Sequence, residues 1–175
     1  MRPKIIAIAG KSGSGKTTLL EKIIPILKNR GHRLGTVKHA HKEVEIDKKG
    51  KDSWRHRQAG AHATLVVSPD TIALVKDRET ASLRELTPYL SDMDLVIVEG
   101  FKQERIPKIE IFRTDSGHKK PLCLDDPDLA AFMTDSHHTT DVPTFGLDEV
   151  EALADFIEAT FILTEDIPLN QESTH

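Results

Sequence analysis

A glycine-rich stretch near the N-terminus, residues 10–17, reads Gly-Lys-Ser-Gly-Ser-Gly-Lys-Thr and fits the pattern G-x-x-x-x-G-K-[ST]. An apolar run at 4–9 precedes it, and apolar residues recur at helical spacing over 19–27. With a strand before the loop and a helix after it, successive backbone N–H groups point into one concavity at the positive end of the helix dipole. The sequence therefore predicts a phosphate-binding loop and a nucleotide-binding protein.

We expect this loop to contact the nucleotide through both backbone and side chains. The Lys16 ammonium would neutralise the outer phosphates, and the Thr17 hydroxyl would be a hard oxygen ligand for Mg²⁺. The alternative interpretation is a glycine-rich turn that happens to precede a helix. The predicted nucleotide-binding residues of this segment are Gly10, Ser12, Gly13, Ser14, Gly15, Lys16, Thr17 and Thr18.

A second strongly apolar strand is expected at 94–100, and it ends on Glu99. In a parallel sheet the ligand lies beyond the carboxyl ends of the strands, so Glu99 and the loop should meet at one edge. A carboxylate in that place is costly unless a cation or hydrogen-bond donors face it. We interpret Glu99 as a Mg²⁺ ligand together with Thr17, and a solvated acid at a strand end is the alternative.

The order of the predicted elements indicates an α/β fold of the P-loop NTPase type, with three layers. The stretch 63–75 predicts two strands joined by a short turn, which can only form an antiparallel hairpin, so we expect a mixed, mostly parallel sheet. The predicted parallel strands are 4–9, 34–38, 94–100, 107–113 and 129–135. The predicted helices are about 15–30, 52–60 (capped by Asp52 or Ser53), 83–90 and 148–162.

The bulk composition limits the function classes. A length of 175 residues suits one nucleotide-binding domain, expected over 1–163, with a flexible tail at 164–175. The net charge of −4 argues against binding to nucleic acid or to an anionic membrane through overall charge. A single cysteine excludes an internal disulfide, and no apolar run approaches the roughly 18 residues that span a bilayer. We expect a cytoplasmic protein.

Charged and histidine residues are concentrated in a second segment, 38–55. Lys38, His39 and Lys51 are candidate contacts to a phosphorylated ligand, and Asp47 is a candidate second carboxylate acting on Mg²⁺. Asp47 joins Lys16 and Glu99 as the candidate catalytic residues. A solvated loop is an equally good interpretation of this segment, and the H-x-H pattern at 39–41 alone is weak evidence for zinc.

The identity of the base does not follow from spacing, because the Asn-Lys-x-Asp element of Ras-like GTPases is absent. Asp135, at the end of a late strand, is our candidate acceptor for the N1–H and exocyclic amine of guanine. A small-molecule kinase that uses ATP stays open as an alternative, although no segment has a recognisable arginine-bearing lid. A nucleotide-binding module that does not hydrolyse its ligand is the second alternative.

Taken in order, the motifs resemble the MobB family of molybdopterin-guanine dinucleotide biosynthesis adaptor proteins over roughly residues 4–150. The K-H-x-H, G-K-D-S and V-E-G-F-K elements together are specific, whereas the phosphate loop is generic. Lys42 is a departure, because the family often places a further histidine there. The segments that carry the resemblance are 10–17, 37–41, Asp47, 50–53, 59–61, 96–102 and 107–111.

The resemblance implies a GTP-binding accessory protein of molybdenum cofactor biosynthesis that hydrolyses GTP slowly at most. It also implies a homodimer that associates with the molybdopterin guanylyltransferase, the enzyme that joins GMP to the molybdenum-bearing pterin. We therefore expect GTP and Mg²⁺ as ligands. The molybdopterin cofactor is a candidate second ligand, and the candidate contacts to its phosphate are Lys38, His39, Lys51 and Arg55.

Overall fold

The computed structural model describes residues 3–40, 46–77, 82–101 and 103–164. Its contacts divide the chain into two compact units, a larger one of Met1–His39 with Tyr89–His175 and a smaller one of Ala40–Pro88. We describe each unit by itself. The expectation of a single nucleotide-binding domain over 1–163 stays a prediction, and almost all of the expected flexible tail lies outside the described residues.

The larger unit contains a six-stranded sheet in which every described pairing is parallel. Its strands are β1 (Lys4–Ala9), β2 (Leu34–Lys38), β5 (Leu95–Glu99), β6 (Lys108–Phe112), β7 (Leu129–Thr134) and β8 (Thr144–Phe145). The spatial order is β2-β5-β1-β6-β7-β8. Strand β1 therefore lies between β5 and β6, where the chain switches from one side of the sheet to the other. Ligands of open α/β sheets bind at the carboxyl end of such a switch point.

The strand sequences explain why this sheet is parallel. Leu95 to Val98 are all buried, and so are Ile6 to Ala9 of β1. Continuous apolar runs of this kind suit strands that are covered on both faces, as parallel strands are. A strand in which apolar and polar residues alternate has one polar face, whereas the consecutive buried residues of β1 and β5 are apolar on both faces.

Two helices pack against each other and against the sheet in the larger unit. Helix α1 spans Lys16–Asn29, and helix α4 spans Val150–Ile157 and continues as a π-helical segment, Glu158–Ile162. Gly31 (φ +96°) follows the C-cap residue Arg30, and this glycine allows the chain to turn away from helix α1. The apolar faces of both helices and of the central strands form one core cluster. Its fully buried helical members include Ile23, Leu27, Leu153, Ala154 and Ile157.

The smaller unit contains helix α2 (Asp52–Gln58) and an antiparallel hairpin of β3 (Ala63–Val67) and β4 (Ile72–Lys76). Helix α3 (Leu83–Leu86) follows and continues as a 3-10 turn at Thr87–Leu90. The predicted cap of α2 is not observed. Lys51 occupies the N-cap position without a side-chain hydrogen bond, whereas the Ser53 hydroxyl donates a hydrogen bond to the Asp47 carboxylate.

The predicted α/β class and the antiparallel hairpin are confirmed. The two kinds of pairing lie in separate sheets, however, and not in one mixed sheet. A short turn dictates only that its two strands pair with each other, so it does not decide whether either strand also joins the main sheet. Strand β8 was missed because two residues carry no periodicity. In the described part of the chain, no helix combines the length and the apolar character that crossing a bilayer requires.

Candidate functional site

The glycine-rich loop leaves β1 and enters α1 through three glycines with left-handed backbone, Gly10 (φ +141°), Gly13 (φ +78°) and Gly15 (φ +94°). A Cβ atom added at Gly10 would lie 2.5 Å from the carbonyl oxygen of Ile111 and 2.5 Å from the hydroxyl oxygen of Ser14. Both the conformation and the space at Gly10 therefore require glycine. The loop follows the central strand closely and curls at the switch point of the sheet.

The interior of the loop has polar groups suited to an anion. Ser14 is 2% exposed, and its hydroxyl oxygen is buried without a hydrogen-bond partner among the described residues. No side chain caps helix α1 at Gly15. A buried hydroxyl without a partner costs free energy, and a phosphate oxygen at the N-terminus of α1 would supply that partner while meeting the positive end of the helix dipole.

The Lys16 side chain folds back over the loop. Its ammonium donates hydrogen bonds to the carbonyl oxygen of Gly10 (3.0 Å) and to that of Lys11 (2.9 Å). Thr17 and Thr18 follow at the start of α1, and both are exposed. The positive charge of Lys16 is thus held at the loop, as the sequence predicts, and two exposed threonines follow it.

Glu99 ends β5 at the same edge of the sheet. The strand register places it beside Ile8 of β1, two residues before Gly10, and beside Lys38 of β2. The Glu99 side chain is 19% exposed, and its carboxylate lies 3.6 Å from the Lys38 ammonium. The structure therefore brings together Glu99 and Lys38, two predicted site residues, as an ion pair across adjacent strands.

The turn after Glu99 is tight. Gly100 (φ +103°) and Phe101 (φ +51°) both have left-handed backbone, and a Cβ atom at Gly100 would lie 2.8 Å from the Cβ atom of His39. The His39 N–H donates to the Glu99 carbonyl oxygen at 2.8 Å, and its ring stacks on Phe101 with the ring centroids 4.8 Å apart. His39, a predicted ligand contact, thus supports the Glu99 backbone. His41 and Lys102 lie outside the described residues.

A segment that follows β6, residues 118–123, contacts the loop. The Lys11 ammonium donates to the Lys120 carbonyl oxygen at 2.9 Å, and the His118 ring nitrogen Nε2 lies 2.9 Å from the Ser12 carbonyl oxygen. These contacts are not predictable from the sequence, because no local pattern pairs residues more than 100 positions apart. This segment supports the outer side of the loop.

The 118–123 segment is anchored by Glu110, a residue of β6 that is 1% exposed. Its carboxylate accepts hydrogen bonds from the backbone N–H groups of Leu122 and Cys123. Burial raises the pKa of Glu110 above its ordinary value, and these two hydrogen bonds and the charge of Lys11 oppose that rise. The sequence did contain a signal for this residue, which is an acidic side chain within an otherwise apolar strand.

Asp135, the predicted acceptor for guanine, follows β7. One carboxylate oxygen accepts from the Thr114 N–H at 2.8 Å, and the other accepts from the Thr114 hydroxyl at 3.0 Å. The backbone hydrogen bond from Thr114 lowers the pKa of Asp135. Asp135 therefore joins the end of β7 to the turn after β6, and its part in base recognition stays a prediction.

Asp47 and Lys51 belong to the smaller unit. One Asp47 carboxylate oxygen accepts from the Ser53 hydroxyl at 2.8 Å, and the other is buried without a partner among the described residues. Lys51 is exposed at the start of α2. The predicted action of both residues on the nucleotide or on Mg²⁺ stays a prediction.

The described residues contain no group of three or more His, Cys, Asp or Glu side chains that could hold a metal ion. A protein that binds Mg²⁺ together with nucleotide phosphates needs only one or two ligands of its own, since the phosphates and water supply the rest. The Thr17 hydroxyl and the Glu99 carboxylate, at one edge of the sheet, are of the oxygen type that Mg²⁺ prefers.

The chain is similar to known proteins over most of its length. Residues 5–135 match the family model of MobB, described as molybdopterin guanine dinucleotide synthesis protein B. The chain is 42% identical over 158 residues to a molybdopterin-guanine dinucleotide biosynthesis adapter protein of Escherichia coli, covering 87% of this chain and 90% of the relative. A protein of the same name from Haemophilus influenzae is 40% identical over 157 residues, covering 88% of this chain and 87% of the relative.

Solved structures show the same fold. The crystal structure of Bacillus subtilis MobB superposes with a TM-score of 0.70 at 27% identity, covering 90% of this chain and 98% of that chain. A MobB homologue from Bacillus stearothermophilus superposes with a TM-score of 0.65 at 25% identity, covering 89% and 95% of the two chains.

The buried carboxylate of Glu110 generates a prediction about pH. Between the ordinary glutamate pKa of 4.5 and the raised pKa, the unfolded chain releases a proton that the folded chain retains, so the stability contributed by Glu110 falls as the pH rises. Glutamine at this position cannot ionise. The free energy of unfolding is to be measured in urea for both proteins from about pH 4 to about pH 8. We expect the natural protein to lose stability relative to Glu110→Gln as the pH increases.

The matched control is Glu21→Gln, a substitution on the exposed surface of α1. Its difference from the natural protein should stay nearly constant over the same pH range. Parallel profiles for the two variants would show that burial of the Glu110 carboxylate has no energetic consequence.

Proposed function

The chain belongs to the MobB family of molybdopterin-guanine dinucleotide biosynthesis adapter proteins, and from this membership we propose that it acts as a GTP-binding protein. In this proposal the loop 10–17 holds the phosphates of Mg²⁺-bound GTP. The observation that carries the proposal is the buried Ser14 hydroxyl, which has no partner among the described residues and lies in a glycine-rich loop at the N-terminus of a long helix. An anionic oxygen satisfies that hydroxyl, and the Lys16 ammonium is already held at the same loop.

Thr17 and Glu99 are the residues that would hold Mg²⁺. When bound, the ion would neutralise phosphate charge and align the phosphate oxygens. Glu99 lies beside the ammonium of Lys38, so its carboxylate already meets one cation and is placed to accept a second at the loop edge. Thr17 is exposed at the start of α1, and its hydroxyl is of the oxygen type that Mg²⁺ prefers.

We propose that hydrolysis of GTP is slow at most. Fast phosphoryl transfer in P-loop proteins uses an arginine that stabilises the charge of the transition state. Arg113 is an arginine that the structure places against the loop, with its Cδ atom 3.6 Å from the Cβ position of Gly15. Its guanidinium is held by Asp115 at 2.7 Å, which does not favour a role at the outer phosphate.

The name adapter implies a protein partner, and the partner that we propose is the molybdopterin guanylyltransferase. GTP binding by this chain would then accompany transfer of GMP to the pterin. Lys38, His39 and Lys51 remain our candidate contacts to the pterin phosphate. Co-sedimentation with the purified transferase, with and without GTP, tests the partnership, and the absence of a complex under both conditions would contradict it.

We also propose that the hairpin of the smaller unit mediates a homodimer. The register pairs Leu65 with Leu74 and Val67 with Ile72, so these four side chains share one face of the hairpin. They are between 40% and 69% exposed. A two-stranded hairpin is marginally stable alone, and an apolar face of this kind is normally covered. A second copy of the hairpin is the occupant that matches this face by symmetry.

The first test concerns the phosphate loop. Lys16→Ala should lower GTP affinity by about ten- to hundredfold, because it removes charge-assisted contacts to the phosphates. Calorimetric titration with GTP and with ATP, each with Mg²⁺, measures this effect and the base preference together. Lys28→Ala, an exposed lysine in the last turn of α1, is the matched control and should bind GTP as the natural protein does. Unchanged affinity in Lys16→Ala would exclude this loop as the phosphate site, and a preference for ATP would favour a kinase.

The second test concerns the metal. Glu99→Gln should weaken GTP binding in the presence of Mg²⁺ by roughly tenfold, because a neutral amide is a poorer ligand for a hard cation. Binding in the presence of a chelator should change much less. Asp94→Asn, at the opposite end of β5, is the control for the loss of a negative charge. Equal weakening with and without Mg²⁺ would assign Glu99 a purely structural part.

The third test concerns the dimer. Sedimentation should show the natural protein at twice its chain mass of 19.5 kDa. The double substitution Leu65→Lys with Ile72→Lys should yield monomers, because it places like charges on a face that must become buried. Leu163→Lys replaces an equally exposed leucine outside the hairpin and should leave the dimer intact. Monomers in the natural protein, or dimers in the double variant, would overturn this interface.

A further inference from the structure

A cavity of about 200 Å³ opens beside the start of helix α1, within the larger unit. Gly15 and Thr18 form one side of it, Arg113 lies after β6, and Leu147 and Asp148 lie between β8 and α4. Gly15 belongs both to the phosphate loop and to the wall of the cavity. The phosphate loop and the cavity are therefore directly adjacent.

The size and the walls of the cavity suit one flat ring system. Sites for whole ligands usually measure about 300–1,000 Å³, so this space matches a part of a nucleotide and leaves the phosphates to the open loop. Buried apolar side chains, among them Leu19, Ile111 and Met133, line it. Such walls favour the faces of an aromatic ring, which are poorly hydrated.

Arg113 adds a planar cation to the same wall. Its Nε atom is buried without a hydrogen-bond partner among the described residues, whereas one of its terminal nitrogens is held by Asp115. A guanidinium that is fixed at one end presents a flat face, and arginine stacks well on aromatic rings. An electronegative ring atom or a ribose oxygen would also satisfy the Nε donor.

Asp148 is the one acidic residue among the described residues that line this cavity. A carboxylate accepts hydrogen bonds and donates none. Guanine presents two adjacent donors, N1–H and the exocyclic amine, whereas adenine presents an acceptor at N1. A carboxylate at the edge of a base pocket therefore favours guanine and disfavours adenine.

We propose that this cavity receives the guanine base and that Asp148 is the residue that determines specificity for it. The inference rests on the proposed function, because it requires nucleotide phosphates in the loop 10–17. It assigns to Asp148 the role that the sequence suggested for Asp135. Asp135 is not among the residues that line the cavity, and both of its carboxylate oxygens already accept hydrogen bonds from Thr114.

The test is an exchange of base preference. Xanthine has a carbonyl group where guanine has its amine, so an amide side chain can accept from N1–H and donate to that carbonyl. Asp148→Asn should bind Mg²⁺-bound GTP at least tenfold more weakly than the natural protein and bind xanthosine triphosphate at least tenfold more tightly. Asp135→Asn tests the rival assignment and should keep the natural preference. Asp141→Asn, an exposed carboxylate that does not line the cavity, is the control for the loss of a negative charge. Calorimetric titration measures all of these affinities, and unfolding by heat checks that each variant is folded.

A further arm needs no substitution. Inosine triphosphate keeps N1–H and lacks the exocyclic amine, so the natural protein should bind it more weakly than GTP by several-fold. In Asp148→Asn the difference in affinity between GTP and inosine triphosphate should nearly vanish, because the carboxylate that accepts from the exocyclic amine has been replaced. Equal affinities of the natural protein for the two nucleotides would count against a contact to the amine.

The outcomes separate this inference from the function on which it rests. If the natural protein binds GTP and Lys16→Ala does not, while Asp148→Asn keeps the natural ratio of GTP to xanthosine triphosphate, the assignment of Asp148 is overturned and nucleotide binding stands. An exchange of preference in Asp135→Asn would return the role to Asp135. If the natural protein binds no nucleotide at all, the proposed function fails and this inference fails with it.

Discussion

The close approach of Gly10 to the carbonyl oxygen of Ile111 is the contact on which the architecture of the site depends. It leaves no room for a side chain, since a Cβ atom would lie 2.5 Å from that oxygen. Strand β6 can therefore continue past the start of the loop, and its last residues lead into Arg113 at the wall of the cavity. A bulkier residue would separate the two strands at the switch point, and the loop, the cavity and the carboxyl end of β5 would lose their common edge.

Three charged groups around this edge, Lys16, Glu99 and Glu110, each meet hydrogen-bonding groups or an opposite charge. Glu110 is nearly inaccessible, and a carboxylate in that position is unfavourable unless donors face it. Two backbone N–H groups do so, and they belong to the segment that supports the outer side of the loop. Replacing Glu110 by an apolar residue would remove the cost of burying its charge, but it would also leave those N–H groups unpaired. The carboxylate is better understood as a positioning group than as a source of stability.

Features that depend on neighbouring residues in the chain were predictable from the sequence. The loop 10–17 and its flanking strand and helix follow from glycine spacing and apolar periodicity, and Glu99 follows from its place at the end of an apolar strand. Features that depend on distant segments were not predictable. Tertiary packing decides that β3 and β4 pair only with each other and that β8 joins the main sheet, and a short turn or a two-residue strand carries no local signal for either. Glu110 was visible as an acid in an apolar strand, but its partners lie in a loop with no motif.

The same distinction applies within the candidate nucleotide site. A phosphate group is recognised mainly by backbone N–H groups, so the residues that bind it must be consecutive, and the requirement appears as a motif. A base is recognised at its edge by one or two side chains, and these can come from any loop that reaches the carboxyl edge of the sheet. In this fold Asp135 and Asp148 both follow strands on the same side of β1, so position along the chain does not distinguish them. What distinguishes them is that the carboxylate of Asp135 is engaged by Thr114, whereas Asp148 lines the cavity beside the loop. A sequence motif therefore identifies the residues that bind phosphate but not the residues that recognise the base. The side-chain geometry of the fold is needed to propose those.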